Sequence, residues 1–187
     1  LAGIDMDITA TGDTDILTAG VTGTRTVTVS NVGTSASTGP VTVTVPLPNG
    51  VQWDDTVSPG TGWDCLLRSR TITCDHEGPV QPDASLPALS IGLLASKANA
   101  PGVDIEYVVS TDNDENEANN VFERSERVQY EPETTITSAP GNSTSASATV
   151  AFTSDDPNAV FECSVDSGEF VACESPFTVT GLSEGSQ

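Results

Sequence analysis

The sequence predicts an all-β protein of two antiparallel β-sandwich domains in tandem, the second of them incomplete. Three observations carry this expectation. Valine and threonine alternate with period two through much of the chain. Clusters rich in Gly, Pro, Asn and Ser interrupt the alternation at short intervals. No stretch carries the periodicity of a helix of ordinary length.

Thr26-Val27-Thr28-Val29-Ser30 places valines on one face of a strand and hydroxyls on the other. NVGTSASTGP (31–40) reads as a turn, and Val41-Thr42-Val43-Thr44-Val45 repeats the pattern. LPNG (47–50), SPGTG (58–62) and EGPVQPD (77–83) are further turn clusters. Leu89, Ile91 and Leu93 alternate, as do Val103, Ile105, Tyr107 and Val109. The last two strands of the first domain are expected at 103–111 and 121–130. A boundary falls in YEPETTITSAPGNSTS (130–145), where Pro132 and Pro140 interrupt strand pairing. The domains expected are 1–131 and 132–187. The second holds SASATVAFTS (145–154), a cysteine hairpin and PFTVTGL (176–182), about four strands, too few to close a sandwich. Either the native chain continues beyond Gln187 or a partner supplies a strand.

The four cysteines fall in two local pairs without CxxC metal spacing. A hairpin turning at Ser69–Arg70 sets Cys65 opposite Cys74. A three-residue turn at Ser167–Gly168–Glu169, with Gly168 at positive φ, sets Cys163 opposite Cys173. Two cross-strand disulfides are therefore expected, and with them an oxidising compartment; the alternative is free thiols in the core. Each bridge closes a loop of about ten residues, worth about 2.7 kcal/mol by chain entropy.

Hydrophobic residues make up 36% of the 187, against about 45–50% in ordinary soluble domains. The net charge is −21, from 27 acidic and 6 basic residues. That balance excludes nucleic acid as a partner and disfavours anionic membranes. Lys97 is the only lysine, and its polar setting, ASKANAPG, makes it a poor source for a lysine–asparagine crosslink. No apolar run is long enough to span a bilayer.

STDNDENEANN (110–120) is the most unusual stretch. Asp112, Asp114, Asn116 and Glu117 supply the hard oxygens calcium takes. The spacing of the first three echoes the start of an EF-hand loop. Glu117 stands where that loop has its glycine, at the sixth position, so this is not an EF-hand. The loop is expected at the sandwich end away from the linker, beside residues 31–40 and near Asp5 and Asp7. The competing reading is a solvated turn whose Asn119 and Asn120 bond backbone groups at its base.

Other residues read as structural. His76 is the only histidine, and CDHEGP offers it no triad partners. Asp54-Asp55 and Asp155-Asp156 lie in polar loops without an aromatic sugar platform, which leaves little for glycosidase chemistry. Trp53 and Trp63 are expected in packing rather than as a sugar-binding shelf. Asn142-Ser143-Thr144 is an N-glycosylation sequon in an exposed linker.

From Val27 to Asn120 the order TVSNVGTS, PVTVTVPLPNGV, GWDC…TITC, LPALSIGLL, VVSTDNDENEANN resembles the conserved-repeat Ig-like domain of bacterial and archaeal surface proteins. It also resembles the related cell-adhesion domain called CARDB. The matching features are Asn31 and Gly33, Pro48 and Gly50, the Cys65/Cys74 pair, and Asn119-Asn120 after an acidic loop. Residues 132–182 resemble Ig-like repeats of large secreted bacterial proteins. The resemblances imply a non-enzymatic extracellular module at the cell surface or in a secreted protein, acting as a spacer or adhesion unit beside other Ig-like domains, copies of itself, or a surface protein or glycan. Two alternatives stand: a fibre or surface-layer subunit assembled by strand complementation, and a sugar-binding or non-catalytic appendage of a secreted hydrolase.

Overall fold

The computed structural model describes residues 3–141 and 145–183. The chain divides into two compact units, Leu1–Tyr130 and Glu131–Gln187. In unit 1 the strands are β1 (Met6–Gly12), β2 (Ile16–Thr18), β3 (Thr22–Asn31), β4 (Val41–Pro46), β5 (Val51–Asp54), β6 (Trp63–Arg68), β7 (Thr71–His76), β8 (Leu89–Ala95), β9 (Gly102–Ser110) and β10 (Val121–Gln129). They form an Ig-like sandwich of two sheets, ordered β1-β3-β8-β5 and β2-β10-β9-β4-β7-β6. Its strand pairs are antiparallel except one: β2 runs parallel to β10, with Ile16, Leu17 and Thr18 beside Arg127, Val128 and Gln129.

Alternation builds the core. Val27 and Val29 of one sheet meet the layer made by Val41, Val43, Val45, Ile72, Ile105, Tyr107 and Val109 of the other. None of these is more than 1% exposed. Their strand neighbours of opposite parity face outward, as the pleat requires. The β6–β7 hairpin turns at Ser69 and Arg70, both left-handed (φ 49° and 66°). That two-residue geometry sets the twist and brings Cys65 opposite Cys74. The two are disulfide-bonded, with Cα atoms 4.1 Å apart.

Two inner-face positions, one on each sheet, carry charges. Arg25 of β3 is fully buried and crosses to Glu126 of β10 in the other sheet, which is 1% exposed. The contact is bidentate: Arg25 Nε donates to Glu126 Oε1 at 2.6 Å and Nη2 to Oε2 at 2.8 Å. Arg124 Nε donates to the same Oε1 at 2.8 Å. The remaining Arg25 nitrogen donates to Thr24 O and to Asp13, and Arg124 reaches Asp15. Asp13 and Asp15 belong to the segment in which the chain leaves β1's sheet for β2's. Burial works against the Arg25 charge, but the hydrogen bonds and charge of Glu126 outweigh it and hold its pKa above the ordinary value. Burial, helped by Glu126, also raises the Tyr107 pKa well above the ordinary tyrosine range.

Unit 2 contains β11 (Thr134–Ser138), β12 (Ser147–Ser154), β13 (Phe161–Cys163), β14 (Val171–Cys173) and β15 (Phe177–Thr180). They form a three-stranded sheet, β11-β12-β15, and a two-stranded one, β13-β14. The Phe152 ring meets Phe161 edge-on at 4.8 Å and ties the sheets together. Phe152 is the one hydrophobic side chain of unit 2 that is buried among the described residues. Cys163 and Cys173 are disulfide-bonded, but the hairpin register differs from the sequence expectation. The tight turn sits at Asp166–Ser167, both left-handed (φ 51° and 62°), closed by Gly168 N donating to Val165 O at 2.9 Å. Gly168 is not at positive φ. The strands therefore pair Cys163 with Val171 and Phe161 with Cys173. The sulfurs bridge diagonally, with Cα atoms 5.8 Å apart.

The Tyr107 hydroxyl is buried without a hydrogen-bond partner, so removing it deletes a desolvation cost. Tyr107→Phe is expected to leave stability unchanged or raise it at pH 7. Because the folded pKa lies above the unfolded value, the Tyr107 contribution is fully present below about pH 10 and is lost as pH rises beyond it. Denaturation curves from pH 8 to 11 should show a shallower alkaline loss in Tyr107→Phe than in wild type.

Candidate functional site

The acidic loop joins β9 to β10. Asn113 takes a left-handed conformation (φ 61°), which asparagine tolerates better than most residues. Glu117–Asn119 makes one 3₁₀ turn, capped by the Asn116 side chain accepting from Ala118 N. The loop then turns back on the start of β1. Glu115 N donates to Ile4 O at 2.9 Å, and Ile4 and Asp114 form an isolated parallel bridge. Asp114 Oδ2 accepts from Met6 N and from Asn120 Nδ2, each at 3.1 Å, while Oδ1 accepts from Asn116 N at 3.1 Å.

A second carboxylate lies beside it. Asp5 is buried; its Oδ1 accepts from Asn119 Nδ2 at 2.9 Å and from Asn116 Nδ2 at 3.3 Å. Its backbone continues the clasp: Val32 N donates to Asp5 O at 2.7 Å, and Asp5 N donates to Asn31 Oδ1 at 3.4 Å. Asn31 is also buried; it donates to Ser35 O and Val80 O and accepts from Gly33 N. A side chain at Gly33 would collide with the backbone of Gly3–Asp5, so the close approach of the two segments requires glycine.

Asp114 and Asn116 come together with Asp5, Asn119 and Asn120, and their side chains are committed to the entry of β1. Asp112 and Glu117 stay exposed, and Asp112 lies by Gly39 of the 31–40 loop. Amide and backbone N–H groups supply the donors that a cation would otherwise replace. Among the described residues, no group of three or more His, Cys, Asp or Glu is disposed to hold a metal ion. The proximity expected between this loop, residues 31–40 and Asp5 is present. The Asn119 and Asn120 amide oxygens are buried without a donor, and nothing in the structure explains them.

The other residues singled out by sequence sit in structural roles. Trp63 is buried, donates Nε1–H to Pro87 O at 2.7 Å and meets the His76 ring edge-on. Trp53 is half-buried against the core. His76 Nδ1 accepts from Gly78 N and fixes a turn. Asp54 accepts from Thr22 and Thr56, and those hydroxyls lower its pKa. Asp155 accepts from Glu133 N, and Asp156 from Asn158 N. Lys97 is exposed, its ammonium 5.5 Å from the centre of the Tyr130 ring. Asn142 lies outside the described residues. No described helix is long and apolar enough to cross a membrane. Sequence reasoning missed Arg25 and Glu126. The available signal was parity: Arg25 is in phase with Val27 and Val29, and Glu126 with Phe122 and Val128.

No family model matches the chain, and no curated protein matches it. Among solved structures it is similar to a CARDB domain from Pyrococcus furiosus in complex with di-metal ions, at 15% identity over 69% of this chain and 93% of that one (TM-score 0.44). It is similar to the collagen-binding domain from a Staphylococcus aureus adhesin, at 10% identity over 65% and 95% (TM-score 0.42). It is also similar to a major pilin subunit of Bacillus cereus, at 12% identity over 97% and 67% (TM-score 0.46). At these values the likenesses say nothing about what this chain binds.

The clasp makes Asp114 a structural residue. Asp114→Ala leaves three donors without their acceptor and should cost about 2 kcal/mol, measured by urea denaturation in buffer containing a chelator. Asp112→Ala, at an exposed site, should change stability by less than about 0.5 kcal/mol. Equal losses in the two variants, or a loss for Asp114→Ala seen only with calcium, would contradict the assignment.

Proposed function

We propose that the chain is a non-enzymatic, load-bearing module of an extracellular or cell-surface protein. The observation that carries this reading is the parallel β2–β10 ladder, which joins a strand near the start of unit 1 to its last strand. Tension applied at the two ends of the unit pulls parallel neighbours past one another. All rungs of the ladder are then loaded together, whereas an antiparallel hairpin pulled at its open end yields one rung at a time. The clasp of residues 114–120 grips β1 where that tension enters. The Asp13–Arg25–Glu126–Arg124–Asp15 chain of charges backs the segment between β1 and β2.

Two disulfides support placement in an oxidising compartment. A charge of −21 supports a solvated surface that repels copies of itself. A structural role is supported by what the candidate groups do: His76, Asp54 and Asp156 fix turns, and Asp155 accepts from the Glu133 backbone. The reading predicts that resistance to force depends on where the structure is weakened. Leu17→Ala in β2 and Ile72→Ala in β7 each remove a fully buried side chain, at about 2–5 kcal/mol of equilibrium stability. In single-molecule pulling from the ends of the chain, Leu17→Ala should lower the unfolding force of unit 1 much more than Ile72→Ala does. Equal drops per kcal/mol lost would refute the load-bearing role.

A further inference from the structure

Unit 2 holds a groove of about 350 Å³ lined by both of its sheets. Its floor is one face of the three-stranded sheet: Ile136 of β11, Val150 and Phe152 of β12, and Phe177 of β15. These residues keep a single parity within each strand. Its wall is different. Residues 160–164 line it consecutively, so residues of both parities border the groove. A strand that presents both parities is being met along its edge. β13 pairs with β14 on its other side, and no described strand occupies this edge. The groove is thus an unpaired strand edge standing over an apolar floor. Around it Ile136 is 64% exposed and Val160 86%, in a unit whose buried core is little more than the Phe152–Phe161 contact.

The geometry points to a binding site for an extended segment of a partner chain, added to β13 as a further strand, with alternate apolar side chains on the Ile136–Phe177 floor and basic residues at its flanks. Backbone pairing along β13 would supply affinity, and the floor would read every second residue. Charge selects the occupant. From Glu131 to Gln187 the sequence has nine Asp and Glu and no Lys, Arg or His. Glu162 lines the groove. Thr134 lines it too, and next to Thr134 stand Glu133 and its partner Asp155. A second copy of this chain brings the same unrelieved negative charge to the contact. A neutral-to-basic β segment does not.

The test uses the whole chain and a labelled synthetic peptide of about six alternating Val and Thr residues flanked by lysines, with a twin in which glutamates replace the lysines. Fluorescence anisotropy should show the lysine peptide binding more tightly at low salt than at high salt, and the glutamate twin at least about tenfold more weakly. Amide exchange should slow at residues 160–164 in the complex. Ile136→Asp adds a negative charge, so attraction by charge alone would strengthen lysine-peptide binding; occupancy of the groove predicts a loss of about tenfold or more. Ile136 is exposed, and an unchanged melting temperature checks that the variant folds. The proposal is overturned if neither peptide binds, if the two bind equally, or if Ile136→Asp binds the lysine peptide as well as wild type. Concentration-dependent dimerisation abolished by Ile136→Asp would assign the groove to a second copy instead.

Discussion

The pairing of Arg25 with Glu126 is the constraint on which unit 1 depends. Each charge lies on the inner face of a different sheet, where an ion without a partner would be strongly unfavourable. Only one relative placement of the sheets brings guanidinium and carboxylate into a bidentate contact, and there both oxygens of Glu126 and all three nitrogens of Arg25 find partners. A hydrophobic contact tolerates sliding by an ångström or two; a buried fork of this kind does not. The pair need add little net stability over an apolar replacement. Its effect is to make alternative alignments of the two sheets costly.

The same pair organises the route of the chain. After β1 the backbone leaves one sheet and joins the other, and its crossing residues Asp13 and Asp15 are held by Arg25 and Arg124. That crossing is what lets β2 lie parallel to β10. At the other end of β1, Asp114, Asp5 and Asn31 perform a matching task with neutral donors. Polar side chains therefore fix both ends of the first strand, while valine packing fills the space between the sheets. The acidity of the 110–120 loop is partly structural and partly solvated surface: Asp114 works inward, whereas Asp112 and Glu117 face water.

Much of the fold was legible in the sequence because period-two alternation survives wherever one face of a strand is buried. β3, β4, β8 and β9 could be read from Val27/Val29, Val41/Val43/Val45, Leu89/Ile91/Leu93 and Ile105/Tyr107/Val109. The first cysteine hairpin could be read as well, because Ser69–Arg70 leaves only a two-residue turn between equal arms. In the second only the bridge could be read, not the register: seven residues separate β13 from β14, and Asp166–Ser167 makes the turn that the sequence assigns to Gly168. The three-residue β2 is too short to show a period. The loop's chemistry was legible as an inventory of oxygens and amides, and its nearness to Asp5 as an expectation, but not as a contact list, since the pairing of Asp114 with Met6 and of Asp5 with Asn116 and Asn119 is set by long-range folding. Arg25 and Glu126 were hidden by the assumption that charge marks an outer face, although their parity placed them inside.

The most direct measurement is a double-mutant cycle on this pair, using Arg25→Met, Glu126→Leu and the double variant, with unfolding free energies from urea titration at pH 7. An inter-sheet pair that fixes the alignment of the sheets predicts that each single change costs about 3–5 kcal/mol, because it strands a buried charge, and that the double variant loses far less than their sum. Additive losses, or a single variant within about 0.5 kcal/mol of wild type, would contradict the account and leave the sandwich held by its apolar core alone.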